Sequence, residues 1–257
     1  MIASLRNIAS QVGALLLEWR ERGGKAGHWE GTQFKADADT LANEEWIRRL
    51  EELAPEVPVL SEESAWPSSG VRPERYFLID PIDGTASYAH GFPGFVTQVA
   101  FIDGARPVLA VVHAPVGDKT WHATEGGGAF LNDRALRSAR PSGRMLLIDN
   151  YPEPRGIASE LMAALPATGY VECGSIALKA VHVADGTADL FVKDVVVRDW
   201  DVAPCDLILA ESGALLTDST GQAICYEGAV EKNGVIAAAD RETADRALAV
   251  LSARRRP

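Results

Sequence analysis

The sequence predicts a protein of the α/β class, and three of its properties support this prediction. Of the 257 residues, 47% are hydrophobic and 24% are charged, so the chain can bury a substantial core. Apolar residues near the N-terminus recur at the spacing of an amphipathic helix, at Leu5, Ile8, Val12, Leu15, Leu16 and Trp19. From Arg144 onward, short apolar runs alternate with helical patterns. One large α/β unit and two tightly packed lobes both fit these properties.

The first half of the chain predicts two helices and then a series of strands. Residues 1–22 form the first helix, and a Gly-rich segment from Gly23 to Gly31 follows as a flexible loop. A second helix covers Asp39–Leu53. Four strand regions follow, namely single strands in Val57–Ser64 and Tyr76–Asp80, a hairpin in Phe95–Pro115 that turns at Asp103-Gly104, and a hairpin in Lys119–Leu136 around Gly126–Gly128.

The second half predicts alternating helices and strands, and a boundary between two lobes is expected near residues 138–144. The elements are a helix and a strand in Ile176–Val192 that meet at Gly186, a helix and a strand in Trp200–Asp218 that meet at a Gly213 cap, a buried strand in Gly234–Ala239, and a closing helix from Arg241.

Charge and composition narrow the possible partners. The net charge of −11 argues against nucleic acid, because phosphate backbones are bound by basic surfaces. A small phosphate can still bind an acidic protein if metal ions supply the positive charge. No apolar stretch approaches the ~20 residues of a membrane span, so no membrane partner is expected. The three cysteines are widely spaced and the N-terminus lacks the pattern of a secretory signal, which favours a cytoplasmic protein without a zinc site.

Four acidic residues follow or begin apolar segments, namely Glu62, Asp80, Asp83 and Asp201. Taken singly, each fits a helix cap or a turn. Taken together, converging carboxylates would raise one another's pKa unless cations neutralised them. Mg²⁺ is held by few carboxylates and leaves coordination positions open for phosphate oxygens.

The segment from Asp80 to Thr85 predicts a phosphate site beside a metal site. Asp80 and Asp83 flank a Pro-Ile turn, so both carboxylates and the Ile82 carbonyl can point inward together. Gly84 and Thr85 then begin a short helix, whose free N–H groups favour an anion.

Several motifs resemble those of the inositol monophosphatase family. "DPIDGT" (Asp80–Thr85) with "GFP" resembles its metal-binding signature, and "WDVAPCDLILAESGA" (Trp200–Ala214) resembles its second signature. "SEES" (Ser61–Ser64) resembles its Glu-Glu motif, and "GSIAL" (Gly174–Leu178) resembles its substrate turn. The order and separation of these motifs fit from about residue 5 to about residue 250.

The resemblance implies a five-layered αβαβα sugar-phosphatase fold, with an N-terminal lobe over about 1–140 and a C-terminal lobe over about 141–257. It implies a homodimer that hydrolyses a small phosphorylated metabolite, most simply inositol monophosphate or a related sugar phosphate, with two to three Mg²⁺ ions. By the same resemblance, Glu62, Asp80 and the Ile82 carbonyl would bind the first ion. Asp80, Asp83 and Asp201 would bind the second, and Glu62 would reach a third through waters. Gly84 and Thr85 would bind the phosphate, and the residues around the substrate would be Asp83, Gly174, Ser175 and Asp201.

One departure from the family pattern concerns the acid that pairs with the signature threonine to activate water. The corresponding segment reads "KADADTLAN" (Lys35–Asn43), so this catalytic position falls on Asn43, which cannot accept a proton. Asp39 and Glu44 are nearby in sequence. Asn43 is therefore expected within hydrogen-bond reach of Thr85, and it leaves open a second class of function, a catalytically weak relative that binds a phosphorylated ligand or a protein partner.

A second departure concerns the substrate segment. The acidic residue that contacts a ring hydroxyl in the family falls on Lys193 or Asp194, because this stretch is one residue longer. If Lys193 faces the pocket, a second anionic group on the substrate fits, as in a 3′-phosphoadenosine 5′-phosphate or fructose 1,6-bisphosphate phosphatase. For Lys179 and Lys193 alike, a surface position is the simpler expectation.

Overall fold

Two β-sheets separate three layers of helices, so the layers run helix, sheet, helix, sheet, helix. This computed structural model describes residues 1–22, 27–30, 33–64, 71–137 and 145–254. The helices are α1 (Ile2–Glu21), α2 (Asp37–Leu53), α3 (Thr85–His90), α4 (Ile157–Ala164), α5 (Ile176–Ala184), α6 (Asp199–Ser212) and α7 (Arg241–Arg254). The predicted five-layered α/β fold is thereby confirmed.

The first sheet has seven strands, arranged in the order β3-β4-β5-β6-β7-β8-β9. Only β3 and β4 are parallel, and the others form antiparallel neighbours. Its strands are β3 (Val59–Ser61), β4 (Arg75–Asp83), β5 (Val96–Asp103), β6 (Arg106–Ala114), β7 (Lys119–Thr124), β8 (Gly128–Leu131) and β9 (Arg134–Ala135). Strand β4 is apolar on both faces because helices cover both faces of this sheet.

The outer face of the first sheet is covered by α1 and α2. Leu5, Val12 and Leu16 of α1 join Trp46 of α2 in one core with alternate residues of β4, such as Phe77. The indole N–H of Trp46 donates to Thr97 Oγ1 at 2.6 Å, so the buried ring keeps a polar partner. This core holds the start of α2, and therefore Asp39, against the end of β4.

The second sheet has five strands in the order β11-β10-β12-β16-β14. Strands β11, β10 and β12 are parallel to one another, and β16 is antiparallel to both of its neighbours, β12 and β14. They are β10 (Leu146–Asp149), β11 (Gly169–Glu172), β12 (Leu190–Lys193), β14 (Leu215–Asp218) and β16 (Val235–Ala238). The small pairs β1 (Gly27–Glu30) with β2 (Gln33–Ala36) and β13 (Val197–Arg198) with β15 (Glu231–Lys232) lie outside both sheets.

Helices α5 and α6 form the middle layer, and α4 and α7 cover the outer face of the second sheet. The middle helices pack in one core with Tyr76 and Leu78 of β4 and with Phe191 of β12. The outer helices pack on the other face of β12 and β16, for example against Val192. No helix in the described ranges combines the length and apolarity needed to cross a membrane.

Most predicted elements are found, with three differences. The segment predicted as a loop from Gly23 to Gly31 contains strand β1, and α2 begins at Asp37 rather than Asp39. Strand β4 continues past Asp80 to Asp83, with a shift in its register against β5 between these two acids. The lobe boundary expected near residues 138–144 lies outside the described residues.

Candidate active site

Asp80 lies at the register shift near the end of β4, where its side chain is 1% exposed. Its Oδ1 accepts a hydrogen bond from the Ile82 N–H at 3.0 Å, which fixes the turn through Pro81. Burial raises the pKa of Asp80 well above its usual range, and Glu62, Asp83, Asp201 and Asp39 raise it further. The five acids therefore lie within electrostatic reach of one point.

Asp83 connects the end of β4 to the start of α5. One of its oxygens accepts from the Ser175 hydroxyl and the Ala177 N–H, both at 2.6 Å, and the other accepts from the Ile176 N–H at 3.3 Å. Burial raises the pKa of Asp83, although these donors act in the opposite direction. Ser175 is also the N-cap of α5, because its hydroxyl accepts from the Leu178 N–H at 2.9 Å. The structure thus brings the Gly174–Ser175 turn next to Asp83.

Asp201 lies in the first turn of α6, and its Oδ2 accepts from the Arg198 N–H at 2.7 Å. Burial raises its pKa well above the usual range, and the charges of Asp83 and Glu62 add to this shift. The helix start is fixed by Asp199, a fully buried acid that pairs with Arg72 at 2.6 Å and with Lys232 at 3.0 Å. These two ion pairs fix the first turn of α6, and Asp201 in that turn lies close enough to Asp83 for their charges to interact.

Gly84 is the N-cap of α3 and has a left-handed backbone, with φ of 92°. A Cβ at this position would lie 2.8 Å from the Gly94 carbonyl oxygen, so both the conformation and the space require glycine. The first N–H groups of α3 have no partner within the helix and are available to an anion.

Thr85, the first residue of α3, shows that the prediction for Asn43 was wrong. The Thr85 hydroxyl lies 3.3 Å from Asp39 Oδ1 and 3.0 Å from the Ile82 carbonyl oxygen. Asn43 lies one helical turn further along α2, and its buried Oδ1 has no hydrogen-bond partner among the described residues. The family pattern was matched four residues too late along the chain, and the carboxylate that lies next to Thr85 is that of Asp39, which is 3% exposed.

Lys179 is fully buried, so the expectation of a surface position was wrong. Its ammonium contacts Asn150 Oδ1, lies 3.5 Å from Asp149 Oδ1, and sits 4.8 Å from the centre of the Phe191 ring. Burial lowers the pKa of Lys179 to about 8, against the opposing effect of Asp149. Lys179 therefore crosslinks α5 to the end of β10 rather than facing solvent.

Lys193 and Asp194 follow one another at the end of β12 and have different surroundings. Asp194 pairs with the Arg254 guanidinium of α7. Lys193 is half-buried and makes no ion pair with any residue of the described ranges. The sequence left open which of these two residues takes the substrate-contact position of the family. Asp194 is an acid whose charge is neutralised by Arg254, and Lys193 is a cation without such a partner in the described ranges.

The glutamate of the second signature has a structural role outside this site. Glu211, near the end of α6, accepts from the N–H groups of Gly126 at 2.7 Å and Gly128 at 2.8 Å. These bonds hold the turn between β7 and β8 against α6. The motif therefore combines one site residue, Asp201, with one residue that fixes the position of the helix.

The donor set fits a hard divalent cation such as Mg²⁺. Glu62, Asp80, Asp83 and Asp201 offer carboxylates and Ile82 offers a carbonyl, and oxygen donors are what Mg²⁺ prefers. Within the described ranges, no three His, Cys, Asp or Glu side chains form a preformed cage around one point. The pKa values of Asp80 and Asp201 are raised by burial and by neighbouring acids, and a cation bound between these carboxylates would offset both effects.

Comparison with known proteins identifies the family. The model of the inositol monophosphatase family matches residues 1–256, and the chain therefore belongs to that family. It is a phosphatase that acts on phosphate monoesters. The chain is 28% identical over 243 residues to the 3′(2′),5′-bisphosphate nucleotidase CysQ of Aggregatibacter actinomycetemcomitans, covering 88% of this chain and 87% of that protein.

Two further comparisons agree with this assignment. The chain is 30% identical to the fructose-1,6-bisphosphatase/inositol-1-monophosphatase of Thermotoga maritima, with 74% of this chain and 75% of that protein covered. The solved structure of the extragenic suppressor protein SuhB from Bartonella henselae superposes with a TM-score of 0.82 at 25% identity, over 97% of each chain. The similarity thus extends from sequence to the whole layered architecture.

Proposed function

We propose that this protein catalyses the Mg²⁺-dependent hydrolysis of a phosphate monoester of a small hydroxylated metabolite, with inositol monophosphate and related sugar phosphates as reference substrates. The observation that carries this proposal is the convergence of Asp80, Asp83 and Asp201 beside the Thr85–Asp39 pair. These groups come from β4, α2, α3 and α6, and no single element could supply them.

The residues that would hold the ions are those of the acidic cluster. Glu62, Asp80 and the Ile82 carbonyl would bind one ion, and Asp80, Asp83 and Asp201 would bind a second, with Glu62 reaching a third through waters. The chemistry that Mg²⁺ supplies when bound is Lewis-acid catalysis and a lower pKa for a nearby water. The Ile82 carbonyl accepts a hydrogen bond from the Thr85 hydroxyl at 3.0 Å, and a carbonyl oxygen carries a second lone pair that could serve this purpose.

The protein residues would handle the proton of the attacking water. Water attacks phosphorus in line with the ester oxygen, the P–O ester bond breaks, and the leaving oxygen takes up a proton. Thr85 is placed to accept the water's proton while it passes its own hydroxyl proton to Asp39, 3.3 Å away. Gly84 and the first N–H groups of α3 would orient the phosphate oxygens for this attack.

The assignment of this relay to Asp39 bears on the alternative function. A catalytically weak relative was favoured only because Asn43 could not accept a proton. The pairing of Thr85 with Asp39 supplies the missing acid, so this argument no longer applies. The binding alternative retains one point of support, since the Nus factor SuhB of Xylella fastidiosa is 29% identical over 196 residues.

A homodimer in the cytoplasm is part of the proposal. The three cysteines, Cys173, Cys205 and Cys225, are free, as in proteins of reducing compartments. Phe92 and Tyr151 are large exposed side chains, and a second copy would cover this apolar surface. Light scattering on the purified protein tests the dimer directly.

A substrate panel tests the activity. Phosphate release would be measured from inositol 1-phosphate, fructose 1,6-bisphosphate, adenosine 3′,5′-bisphosphate and histidinol phosphate, with Mg²⁺ and with EDTA. We expect release from at least one substrate, dependent on Mg²⁺. If none of them is hydrolysed while a phosphorylated ligand still binds, the binding alternative replaces this proposal.

A further inference from the structure

The acids of the candidate site come from two elements that a buried ion pair joins. Asp80 and Asp83 lie at the end of β4, and Asp201 lies in the first turn of α6. The segment that leads into β4 contains Arg72, α6 begins with Asp199, and these two residues pair at 2.6 Å. The ion pair therefore connects the two elements that would share the second Mg²⁺ ion.

Both partners of this ion pair are removed from solvent. The Asp199 side chain is fully buried, and the Arg72 side chain is 6% exposed. Lys232 of β15 lies 3.0 Å from the other carboxylate oxygen of Asp199. Burial raises the pKa of Asp199, whereas Lys232 and Arg72 act in the opposite direction. Because a buried charge is costly unless it is paired, Asp199 depends on both cations.

Arg72 also holds the segment that packs against the start of α6. Its guanidinium donates to the Tyr226 carbonyl at 2.8 Å and to the Gly228 carbonyl at 3.0 Å. Two residues further along, the Val230 carbonyl accepts from the Asp199 N–H at 3.0 Å. Strand β15 then pairs with β13, the strand that directly precedes α6. The guanidinium thus holds Asp199 both directly and through the segment beside it.

The position of the Asp201 carboxylate depends on this turn. Its Oδ2 accepts from the Arg198 N–H at 2.7 Å, and Arg198 is the register partner of Glu231 where β13 pairs with β15. The backbone and one oxygen of Asp201 are therefore fixed by a turn that Arg72 and Asp199 hold in place. In metal sites, residues that orient a ligand matter nearly as much as the ligand, and their loss typically lowers metal affinity or activity by about 10- to 100-fold.

We infer that Arg72 is a positioning residue that acts through Asp199. It sets where the start of α6 lies relative to the end of β4, and thereby the affinity of the protein for the second Mg²⁺ ion. This inference rests on the proposed function, in which that ion binds between the two elements. The first proposed ion site takes no ligand from α6, so binding of the first ion should be unaffected.

Mg²⁺ titrations of Arg72→Met test the inference by two independent measurements. Calorimetry on the metal-free protein should show one binding step weakened by about 10- to 100-fold and the other unchanged. Phosphate release should need a correspondingly higher Mg²⁺ concentration for its half-maximal rate, while kcat at saturating Mg²⁺ stays within about threefold of the wild type. A variant that is only less well folded would instead lose kcat and keep the Mg²⁺ dependence, because fewer molecules would be active.

A double-mutant cycle tests whether Arg72 acts through Asp199. Asp199→Asn removes the charge of the acid and should weaken the same binding step. The variant that carries both substitutions should lose much less Mg²⁺ affinity than the product of the two single losses, because residues in one network are energetically coupled. If the two losses multiply, Arg72 acts by another route and the inference is overturned.

Two other variants complete the test. Arg75→Met removes an exposed arginine of β4 that pairs with Asp103 at 3.0 Å, and it should leave the Mg²⁺ affinity unchanged. Lys232→Met removes the other cation beside Asp199 and should weaken the same binding step, so it replaces Arg72→Met if that variant does not fold. Unchanged Mg²⁺ affinity, or equal weakening of both steps, would overturn the inference and leave the phosphatase proposal intact. A wild type that neither binds Mg²⁺ nor hydrolyses any phosphate ester refutes the proposed function and this inference together.

Discussion

Asp39→Asn is the most direct test of the proton relay, because it removes the acceptor and keeps the size of the side chain. Asp39 is 3% exposed, and its Oδ1 lies 3.3 Å from the Thr85 hydroxyl. General-base catalysis contributes typically about 10²–10⁴ in rate. We expect a loss of about 100-fold in kcat, the lower end of this range, since the Thr85 hydroxyl also lies 3.0 Å from the Ile82 carbonyl oxygen and a bound Mg²⁺ would itself acidify the water.

The assay separates this effect from binding and from folding. Initial rates with saturating Mg²⁺ should show the loss in kcat with little change in KM, because proton removal matters only in the transition state. The melting temperature should change by only a few degrees, since an acid in the first turn of a helix contributes about 0.3–1 kcal/mol.

Asn43→Asp is the matched control, one turn further along α2. If Asn43 occupied the position of the family's catalytic acid, this variant would raise kcat. The structure instead predicts no gain in kcat, because Asp39 already lies next to Thr85. If Asp39→Asn retains kcat within about threefold of the wild type and Asn43→Asp raises it, the assignment of the relay to Asp39 is refuted.

Three other outcomes follow from the same geometry. Asp80→Asn should abolish activity at any Mg²⁺ concentration, since Asp80 would bind two ions. Asp201→Asn should be partly rescued by high Mg²⁺ in a metal titration. Equal rescue of both variants would contradict this assignment. Without metal, the raised pKa values of Asp80 and Asp201 mean that the folded state binds protons more tightly than the unfolded state, so thermal stability in EDTA should fall as the pH rises above about 4, the ordinary pKa of an aspartate. Mg²⁺ should then raise the melting temperature more at the higher pH, and a pH-independent effect would speak against these shifts. Gly84→Ala should cost roughly 1–3 kcal/mol in a denaturant titration, because φ is 92° and Gly94 O is 2.8 Å from the new Cβ; unchanged stability would show that the turn can relax.

The layered fold could be predicted because most elements have one clear period. Residues of β4 alternate between two cores, and the apolar residues of α1 fall on one face. The start of α2 was harder, because Asp37 and Asp39 belong to a polar segment without an apolar pattern. Strand β1 was missed for a similar reason, since its four residues, Gly27–Glu30, follow a Gly-rich stretch.

The site residues differ in how far the sequence could place them. Asp80, Asp83 and Asp201 lie in motifs with strong local constraints, and the structure brings them together. Asp39 and Asn43 are four residues apart on one helix and point to the same side, so spacing alone cannot decide which meets Thr85. Their position depends on how α2 packs against β4, which is a tertiary contact.

Lys179 was misplaced because a single lysine in an apolar helix usually marks the solvent face. Helix α5 has no such face, since it lies between the two sheets and buries residues on every side. The lysine is tolerated there because Asp149 and Asn150 provide partners for its ammonium. Sequence alone cannot show that a helix belongs to a central layer.

The position of Asp83 explains why the candidate site requires both sheets. Its carboxylate ends β4 of the first sheet and accepts three hydrogen bonds from the start of α5, the helix that follows β11 of the second sheet. A carboxylate held by three donors has little rotational freedom, so its remaining lone pairs have a fixed direction before any ligand binds. The bonds that join the two halves of the fold therefore also preorganise the acidic cluster, and preorganised polar groups require no rearrangement as charge develops in the transition state. Ser175→Ala would remove one of these bonds without touching an acid, which makes Asp83 the point where folding and catalysis depend on the same contacts.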